Sequence, residues 1–292
     1  MSKFDAQFRK YIPQMDEDSV RKDVENIIIK SKSSMQNKSV YCQLISHVDL
    51  TSLKSTDSAE TISNLVQKVN NFDDKYDILP HPAAICVYPV FASVVKEELT
   101  EDVKIACVAG GFPHSQVPIE VKMAEVGLAV SDGADEIDIV LPVGAFLSGD
   151  YQLVYDEISE IKSCCGSAKL KVILEISLLS SVENIARASV LAIISGADFI
   201  KTSTGKEGSI ASLEAAYVMC KVIKEFEKAG EGKVGFKAAG GINKASDAAN
   251  YLALVKDILG EDFATPEYFR IGASSLVNNL LSEISGEDEK YF

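Results

Sequence analysis

The stretch Phe199-Ile200-Lys201-Thr202-Ser203-Thr204-Gly205-Lys206 joins a short apolar run to a polar turn that contains glycine, and a lysine stands at the junction. Neighbouring large apolar residues are typical of a buried strand, and threonine, serine and glycine are typical of the loop that follows one. The stretch therefore predicts a strand over Ala197–Lys201 that ends in Lys201.

Similar short apolar runs recur along the chain from about residue 42, and amphipathic segments separate them. Strands that alternate with helices indicate βαβ units and a parallel sheet. The predicted strands are Cys42–Val48, Ala83–Val87, Lys104–Ala109, Glu136–Leu141, Leu170–Ile176, Ala197–Lys201, Val234–Lys237 and Phe269–Gly272. The predicted helices include Ala59–Asn70, Ile119–Asp132, Val182–Ser195, Leu213–Ala229 and Ser246–Leu259.

Eight such runs over roughly 230 residues favour a (β/α)8 TIM barrel. An open doubly wound sheet usually places a glycine-rich turn after its first strand. Here the segment after the first run, His47–Thr51, has no glycine, and the glycine-rich turns follow the last two strands. We therefore predict an α/β barrel over residues 41–285, a short N-terminal helical extension over 1–40 and a C-terminal tail over 286–292. Within the extension, Glu17–Lys30 is predicted to be a helix and Ser31–Lys38 a polar loop.

The charge balance limits the partners that the chain can bind. It has 29 basic and 43 acidic residues, with a net charge of −14, which argues against non-specific binding to nucleic acid or to an anionic membrane. An anionic substrate would need a local positive site. The six cysteines form no CxxC pair and no Cys/His cluster with zinc spacing, so we expect reduced thiols. No apolar signal core begins the chain and no run approaches the ~20 residues of a membrane span, so we expect a soluble, cytoplasmic protein.

Charged residues interrupt two of the predicted strands. Glu136 and Asp138 share one face of their strand because side chains alternate with period two, and Lys171 and Glu175 share a face of the next strand. For Glu136 and Lys171, an internal salt-bridge network and a functional role are both open. Asp138 is the better catalytic candidate because it lies nearer the carboxyl end of its strand, where barrel enzymes place their chemistry.

Lys201 and Lys237 end the sixth and seventh predicted strands. If both point inward, their repulsion at ~4 Å and an effective dielectric constant near 20 is on the order of 4 kcal/mol. That is roughly three pKa units, enough to bring a lysine from ~10.4 toward ~7. A lysine with a depressed pKa is what imine formation requires. The alternative is that each lysine simply pairs with a carboxylate or reaches solvent.

The turns after the last two strands favour an anion site. Gly240 and Gly241 follow the seventh strand, and Gly272-Ala273-Ser274-Ser275 follows the eighth and leads into a helical stretch. Loops at these places form the recurrent phosphate site of the barrel fold, because glycines let backbone N–H groups approach the anion. Gly205-Lys206 adds a further glycine and a cation.

These segments, in this order, resemble the deoxyribose-phosphate aldolase family from about residue 42 to about 285. The Lys201–Lys206 segment is the most specific of them. The segments that carry the resemblance are Asp49–Thr51, Ala84–Pro89, Gly111–His114, Gly133–Val140, Gly196–Lys206, Gly235–Gly241 and Arg270–Ser275.

The resemblance implies a class I aldolase that interconverts 2-deoxy-D-ribose 5-phosphate with acetaldehyde and D-glyceraldehyde 3-phosphate in deoxyribonucleoside catabolism, with no cofactor and no metal. Lys201 would carry the imine, Lys237 would depress its pKa and help relay protons, and Asp138 would act through water in acid–base catalysis. A homodimer would also be in keeping with the family. The residues implied to bind the phosphorylated sugar substrate are Asp49, Thr51, Cys86, Thr204, Gly205, Lys206, Gly240, Gly241, Gly272, Ser274 and Ser275.

Two departures from the family pattern bear on function. Asn243 stands where many members carry arginine or lysine near the phosphate, and Tyr291 is the penultimate residue where some members end in a tyrosine that folds over the site. Two alternatives to this aldolase follow: an aldolase-fold protein that acts mainly as a binding or regulatory partner, with weak or lost catalysis, and a class I aldolase with a different acceptor.

Overall fold

Eight parallel strands close into a barrel in chain order in the computed structural model, which describes residues 3–206, 208 and 210–292. The predicted (β/α)8 fold is therefore confirmed. The strands are β1 Val48–Thr51, β2 Ala84–Val87, β3 Lys104–Val108, β4 Glu136–Val140, β5 Lys169–Ile173, β6 Phe199–Lys201, β7 Gly235–Ala239 and β8 Phe269–Ala273.

Helices precede the barrel and surround it, with a short 3₁₀ helix at Pro89–Phe91 and another at Glu261–Phe263. Their apolar faces and the outward faces of the strands form one hydrophobic core. The α-helices are α1 Lys3–Tyr11, α2 Glu17–Met35, α3 Lys38–Ile45, α4 Ala59–Asn70, α5 Asp73–Tyr76, α6 Ala92–Glu98, α7 Ile119–Ser131, α8 Val143–Leu147, α9 Tyr151–Cys164, α10 Ile176–Leu179, α11 Val182–Ile194, α12 Leu213–Lys228, α13 Ala245–Leu259 and α14 Leu276–Ser285.

The first predicted strand, Cys42–Val48, is wrong. Asn37 caps α3 by accepting a hydrogen bond from the Val40 N–H, so the apolar residues that follow continue a helix. Leu44 and Ile45 are buried on its inner face. The strand begins only at Val48, which places Asp49 and Thr51 within β1. A short apolar run fits a buried helix as well as a buried strand, and the cap decides between them.

The N-terminal extension is helical as predicted, but the polar loop over Ser31–Lys38 is wrong. Helix α2 continues through these polar residues to Met35. The Ser31 hydroxyl donates to the Ile27 carbonyl of the preceding helical turn. Helix α1 packs through Phe8 on Tyr151, with the two rings 5.3 Å apart, and shares its core with the barrel. Residues 1 and 2 lie outside the described residues, and a domain boundary near residue 40 stays a prediction.

The C-terminal tail docks at the end of the barrel where the strands begin. The Tyr291 hydroxyl donates to the Lys68 carbonyl near the end of α4, the helix that returns the chain to the start of β2. The Phe292 ring stacks on Phe72, and the Asn278 side chain accepts both tail N–H groups. The proposed closure of Tyr291 over the site of Lys201 is therefore not seen, because Lys201 stands at the opposite ends of the strands.

No helix among the described residues is long and apolar enough to cross a membrane.

Candidate active site

Lys201 is the last residue of β6, and Lys237 lies in the middle of β7. The two lysines are paired in register on these neighbouring strands. The Lys201 side chain is only 4 % exposed, and its Nζ donates to Asp138 Oδ2 at 2.7 Å. Lys237 Nζ donates to the same oxygen at 2.8 Å. The two lysines therefore approach each other, as predicted, and each also pairs with a carboxylate, which was the alternative.

The two lysines have opposite pKa shifts. Burial lowers the pKa of Lys201, and the Lys237 cation lowers it further, against the opposing effect of Asp138. Burial would also lower the pKa of Lys237, but the carboxylates of Asp138 and Asp49 outweigh it and raise that pKa. Lys237 therefore holds its proton more tightly than an ordinary lysine, while Lys201 is the lysine that gives up its proton more readily. The direction agrees with the sequence prediction, although desolvation contributes more than repulsion.

Asp138 is fully buried and is surrounded by three lysines. Burial alone would raise its pKa, but Lys171, Lys201 and Lys237 hold it well below the usual range. Its Oδ1 atom lies 3.3 Å from Lys171 Nζ and accepts no hydrogen bond from any described residue. Asp138 therefore keeps acceptor capacity on one buried oxygen, Oδ1, while its other oxygen holds Lys201.

Beneath these residues lies a network of buried charges. Arg270 donates to Asp49 Oδ1 at 2.7 Å and to Glu136 Oε1 at 2.9 Å, while Lys171 pairs with both Glu136 and Asp138. Of the two alternatives left open for Glu136 and Lys171, the contacts agree with an internal salt-bridge network. Sequence reasoning missed Arg270, although a charged residue between two apolar residues of a predicted strand was the signal available for it.

A cavity of about 320 Å³ opens above Lys201 and contains most of the residues predicted to bind substrate. Asn243 also lines it, at the position that the resemblance placed near the phosphate, and so does Lys54, which the sequence analysis did not place in the site. Lys206 Nζ donates to the Leu53 carbonyl across the cavity mouth. The predicted residues in the lining are Lys201, Thr51, Thr204, Gly205, Lys206, Gly240, Gly241, Gly272, Ser274 and Ser275.

Asp49 and Cys86 are not among the residues that line this cavity. Asp49 is fully buried below it, 2.5 Å from Lys237 Nζ. Cys86 is buried on β2 among small apolar residues, and burial raises the pKa of its thiol. Their contacts fit a supporting position under the site better than direct contact with a phosphate.

Glycines shape the walls of the cavity. Gly240 and Gly241 have φ of 106° and 75°, a region that side chains with a Cβ rarely adopt, and so expose a turn of backbone to the cavity. A Cβ at Gly272 would come within 3.1 Å of Lys237 Cε. Gly272 therefore leaves room for the Lys237 side chain to reach Asp138.

Thr204 fixes the loop after β6. Its hydroxyl donates to Glu175 Oε2 at 2.6 Å and accepts the Lys206 N–H at 3.1 Å. This pairing holds Gly205 and Lys206 at the cavity wall, so the position of the loop depends on a carboxylate from the end of β5.

Within the described residues, one group of three side chains could share a metal ion: Asp73, His81 and Glu101, whose ligand atoms lie within 4.8 Å of one another. All three precede strands β2 and β3, at the end of the barrel away from Lys201. They take no part in the site described above.

Comparison with known proteins identifies the family. The family model of DeoC/LacD aldolases matches residues 43–280. A Caenorhabditis elegans protein is 44% identical over 251 residues, covering 85% of this chain and 82% of that protein. The deoxyribose-phosphate aldolase of Bos taurus is 40% identical over 249 residues (81% and 78%), and that of Homo sapiens is 38% identical over 252 residues (82% and 79%).

Solved structures agree with the sequence comparison. The structure of an aldolase named QR15 is 30% identical and superposes with a TM-score of 0.66, covering 83% of this chain and 96% of that chain. A deoxyribose phosphate aldolase from Aeropyrum pernix, described as tetrameric, is 27% identical with a TM-score of 0.67, covering 88% and 97%. The chain belongs to the DeoC/LacD family of aldolases.

Proposed function

We propose that this chain is a Schiff-base aldolase that interconverts 2-deoxy-D-ribose 5-phosphate with acetaldehyde and D-glyceraldehyde 3-phosphate, in deoxyribonucleoside catabolism. The observation that carries the proposal is a buried lysine with a lowered pKa, Lys201, at the base of a cavity with glycine-rich walls. Relatives named deoxyribose-phosphate aldolase, 38–40% identical, support the choice of substrate.

The chemistry follows from the neutral amine. Lys201 attacks the C1 aldehyde of the sugar, and loss of water from the carbinolamine gives the imine. Asp138 holds the migrating proton, through a water molecule, because its Oδ1 has a free lone pair. The C2–C3 bond then breaks as the C3 hydroxyl loses its proton, and the bond electrons enter an enamine on Lys201. C3 leaves as the aldehyde of glyceraldehyde 3-phosphate.

The second half of the cycle returns the enzyme. Protonation of the enamine at C2 gives the acetaldehyde imine, and water hydrolyses it to acetaldehyde and the free amine. Lys237 stays cationic throughout, which disfavours a second positive charge on the unbound Lys201 amine.

The phosphate would lie against the far wall of the cavity. Backbone N–H groups of Gly240, Gly241 and the start of α14 can donate there, and Lys206 and Lys54 supply positive charge. These groups form the local positive site that an acidic chain needs in order to hold an anion. Asn243 contributes no charge, so the two lysines would replace the cation that many family members carry at its position.

The hypothesis of a binding partner without catalysis is not favoured, because Lys201 and Lys237 both contact Asp138 and Lys201 lines the cavity. An aldolase with a different acceptor predicts equal turnover of deoxyribose with and without its phosphate. A preference for the phosphorylated sugar would exclude that reading.

Borohydride reduction in the presence of acetaldehyde tests the proposal. We expect a stable adduct of one acetaldehyde on the peptide that contains Lys201, and none in Lys201→Met. Lys122→Met is a matched control, because Lys122 is also a buried lysine, paired with Glu157 away from the cavity. An adduct elsewhere, or full turnover by Lys201→Met, would contradict the assignment.

The homodimer and the cytoplasmic location stay predictions. A molar mass in solution of twice that of the chain would support the dimer, and imaging of a tagged chain in its own cells would test the location.

A further inference from the structure

Seven ionisable side chains form one continuous network inside the barrel, and each residue is at most 4 % exposed. They come from six of the eight strands, so only closure of the barrel assembles them. The members of this network, which we call the charge ring, are Asp49, Glu136, Asp138, Lys171, Lys201, Lys237 and Arg270.

The charge ring contains four cationic side chains and three carboxylates. Fully ionised, it would hold one uncompensated positive charge in the barrel interior. An unpaired buried charge is costly, and a titratable group normally relieves that cost by changing its protonation state. Loss of one proton from one lysine leaves three cations against three carboxylates.

The contacts identify the lysine that loses the proton. Lys171 lies within 3.3 Å of three carboxylates, Lys237 contacts two and Lys201 contacts one. Arg270 is not a candidate, since a guanidinium does not deprotonate in proteins. Lys201 therefore gains least from keeping its charge.

We propose that the excess of one cation in the charge ring sets the neutral state of Lys201, and that Lys171, Glu136 and Arg270 are positioning residues that act through this count without touching substrate. The inference rests on the proposed function, in which Lys201 is the nucleophile. The pKa directions agree with it: the pKa values of Lys171, Lys237 and Arg270 are raised, and that of Lys201 is lowered.

The other titratable groups near Lys201 lie outside the charge ring. Burial raises the pKa of Cys86 on β2 and of Cys107 on β3, so both thiols stay neutral. Lys206 and Lys54 line the cavity above Lys201 and add positive charge, which also favours the neutral amine. Glu175, two residues after β5, accepts a hydrogen bond from the Thr204 hydroxyl.

Two packing contacts below the charge ring support the view that its charges are shielded from water. The ring of Phe199 forms its floor, with Lys171 Nζ 5.8 Å and Arg270 Cζ 6.0 Å from the ring centroid. A Cβ at Gly235 would come within 2.3 Å of that ring, so glycine is required there. The floor excludes water from below, which keeps the cost of an uncompensated charge high.

The count predicts opposite shifts from two neutralising substitutions. Lys171→Met removes a cation, so Lys201 can keep its proton against three carboxylates, and its pKa rises. Glu136→Gln removes a carboxylate, so the pKa of Lys201 falls. The double variant Lys171→Met/Glu136→Gln again has an excess of one cation and returns toward the wild-type value. We expect each single shift to be about one to two pH units, from charges several ångströms apart.

The test is the rate of borohydride trapping with acetaldehyde, measured against pH and read as the mass of the intact chain. Support is a midpoint that moves up in Lys171→Met, down in Glu136→Gln and back in the double variant, while Lys171→Arg and the control Lys122→Met stay at the wild-type value. Unmoved midpoints, or single shifts of the same sign, would overturn the charge count.

Folding is checked by circular dichroism. If Lys171→Met does not fold, Arg270→Met against Arg270→Lys gives the same comparison, because Arg270→Met also removes one cation. A wild-type chain that traps no adduct at any pH refutes the proposed function and the inference with it. Trapping by the wild type with unshifted variants refutes only the inference.

Discussion

Replacing Lys237 with methionine separates two roles that this residue could have: lowering the pKa of Lys201 by charge repulsion, and transferring protons during the reaction. Lys237 and Lys201 donate to the same oxygen of Asp138 at 2.8 Å and 2.7 Å, which puts their nitrogens at most 5.5 Å apart. At an effective dielectric constant near 20 this repulsion is on the order of 3 kcal/mol, or about two pKa units. Without it, the pKa of Lys201 rises by about that amount, and the neutral fraction of the amine near pH 7 falls roughly 100-fold.

The assay is kcat/KM for cleavage of deoxyribose 5-phosphate against pH, with coupled detection of glyceraldehyde 3-phosphate. A nucleophile with a lowered pKa is active above that pKa and loses activity as the pH falls through it. In Lys237→Met this acid limb should move to higher pH by about two units, with much of the activity recovered at high pH.

Lys237→Arg serves as the control that keeps the charge, and its acid limb should stay in place. A fall in kcat/KM at all pH values, with the acid limb unmoved, would refute the electrostatic reasoning. That result would mean that Lys237 acts by transferring protons and not by lowering the pKa of Lys201.

Three further predictions concern other parts of the molecule. Lys206→Ala should raise KM for the phosphorylated sugar about tenfold, the size of one charge-assisted hydrogen bond, and leave turnover of unphosphorylated deoxyribose unchanged; equal effects on both sugars would contradict a phosphate contact. Deletion of residues 287–292 should lower the melting temperature by several degrees, through the lost packing on Phe72, with kcat/KM unchanged; lost activity at an unchanged melting temperature would restore a catalytic tail. Burial would raise the pKa of Asp49, but Lys171, Lys237 and Arg270 outweigh burial and lower it. The ionised Asp49 therefore stabilises the fold above its ordinary pKa of 3.8, and this stabilisation is lost as the pH falls below that value. Urea unfolding at pH 5 and at pH 3 measures the loss, and equal free energies of unfolding at the two pH values would contradict it.

Errors in the sequence analysis fall where local pattern is ambiguous. The run that ends at Val48 reads equally as strand or helix, and the Asn37 cap makes it helix α3. Tyr291 could be assigned to the active site only by family analogy. Its actual position depends on Phe72 and Asn278, which lie 219 and 13 residues away along the chain.

Some residues of the candidate site were predictable from the sequence and others were not. Lys201 and the glycine turns were predictable because they mark the carboxyl ends of strands, and a parallel barrel brings those ends together. Lys237 was predicted to end its strand, but β7 continues to Ala239. Arg270 was missed, although it is a charged residue between two apolar residues of a predicted strand, because the sequence does not show which charges it meets when the barrel closes. Asp49 was predicted for the substrate site, yet its neighbours are Lys237, Lys171 and Arg270.

The sequence by itself determined the barrel and the place of Lys201, the proposed nucleophile, at the end of a strand, since both depend on periodicity and on residues at strand ends. Only the tertiary structure decided which of the two lysines has a lowered pKa. Closure of the barrel places Arg270 against Glu136 and Asp49, residues that are 134 and 221 positions apart from it. A lysine's pKa depends on its burial and on the charges around it, and both are set by strands that are distant in sequence.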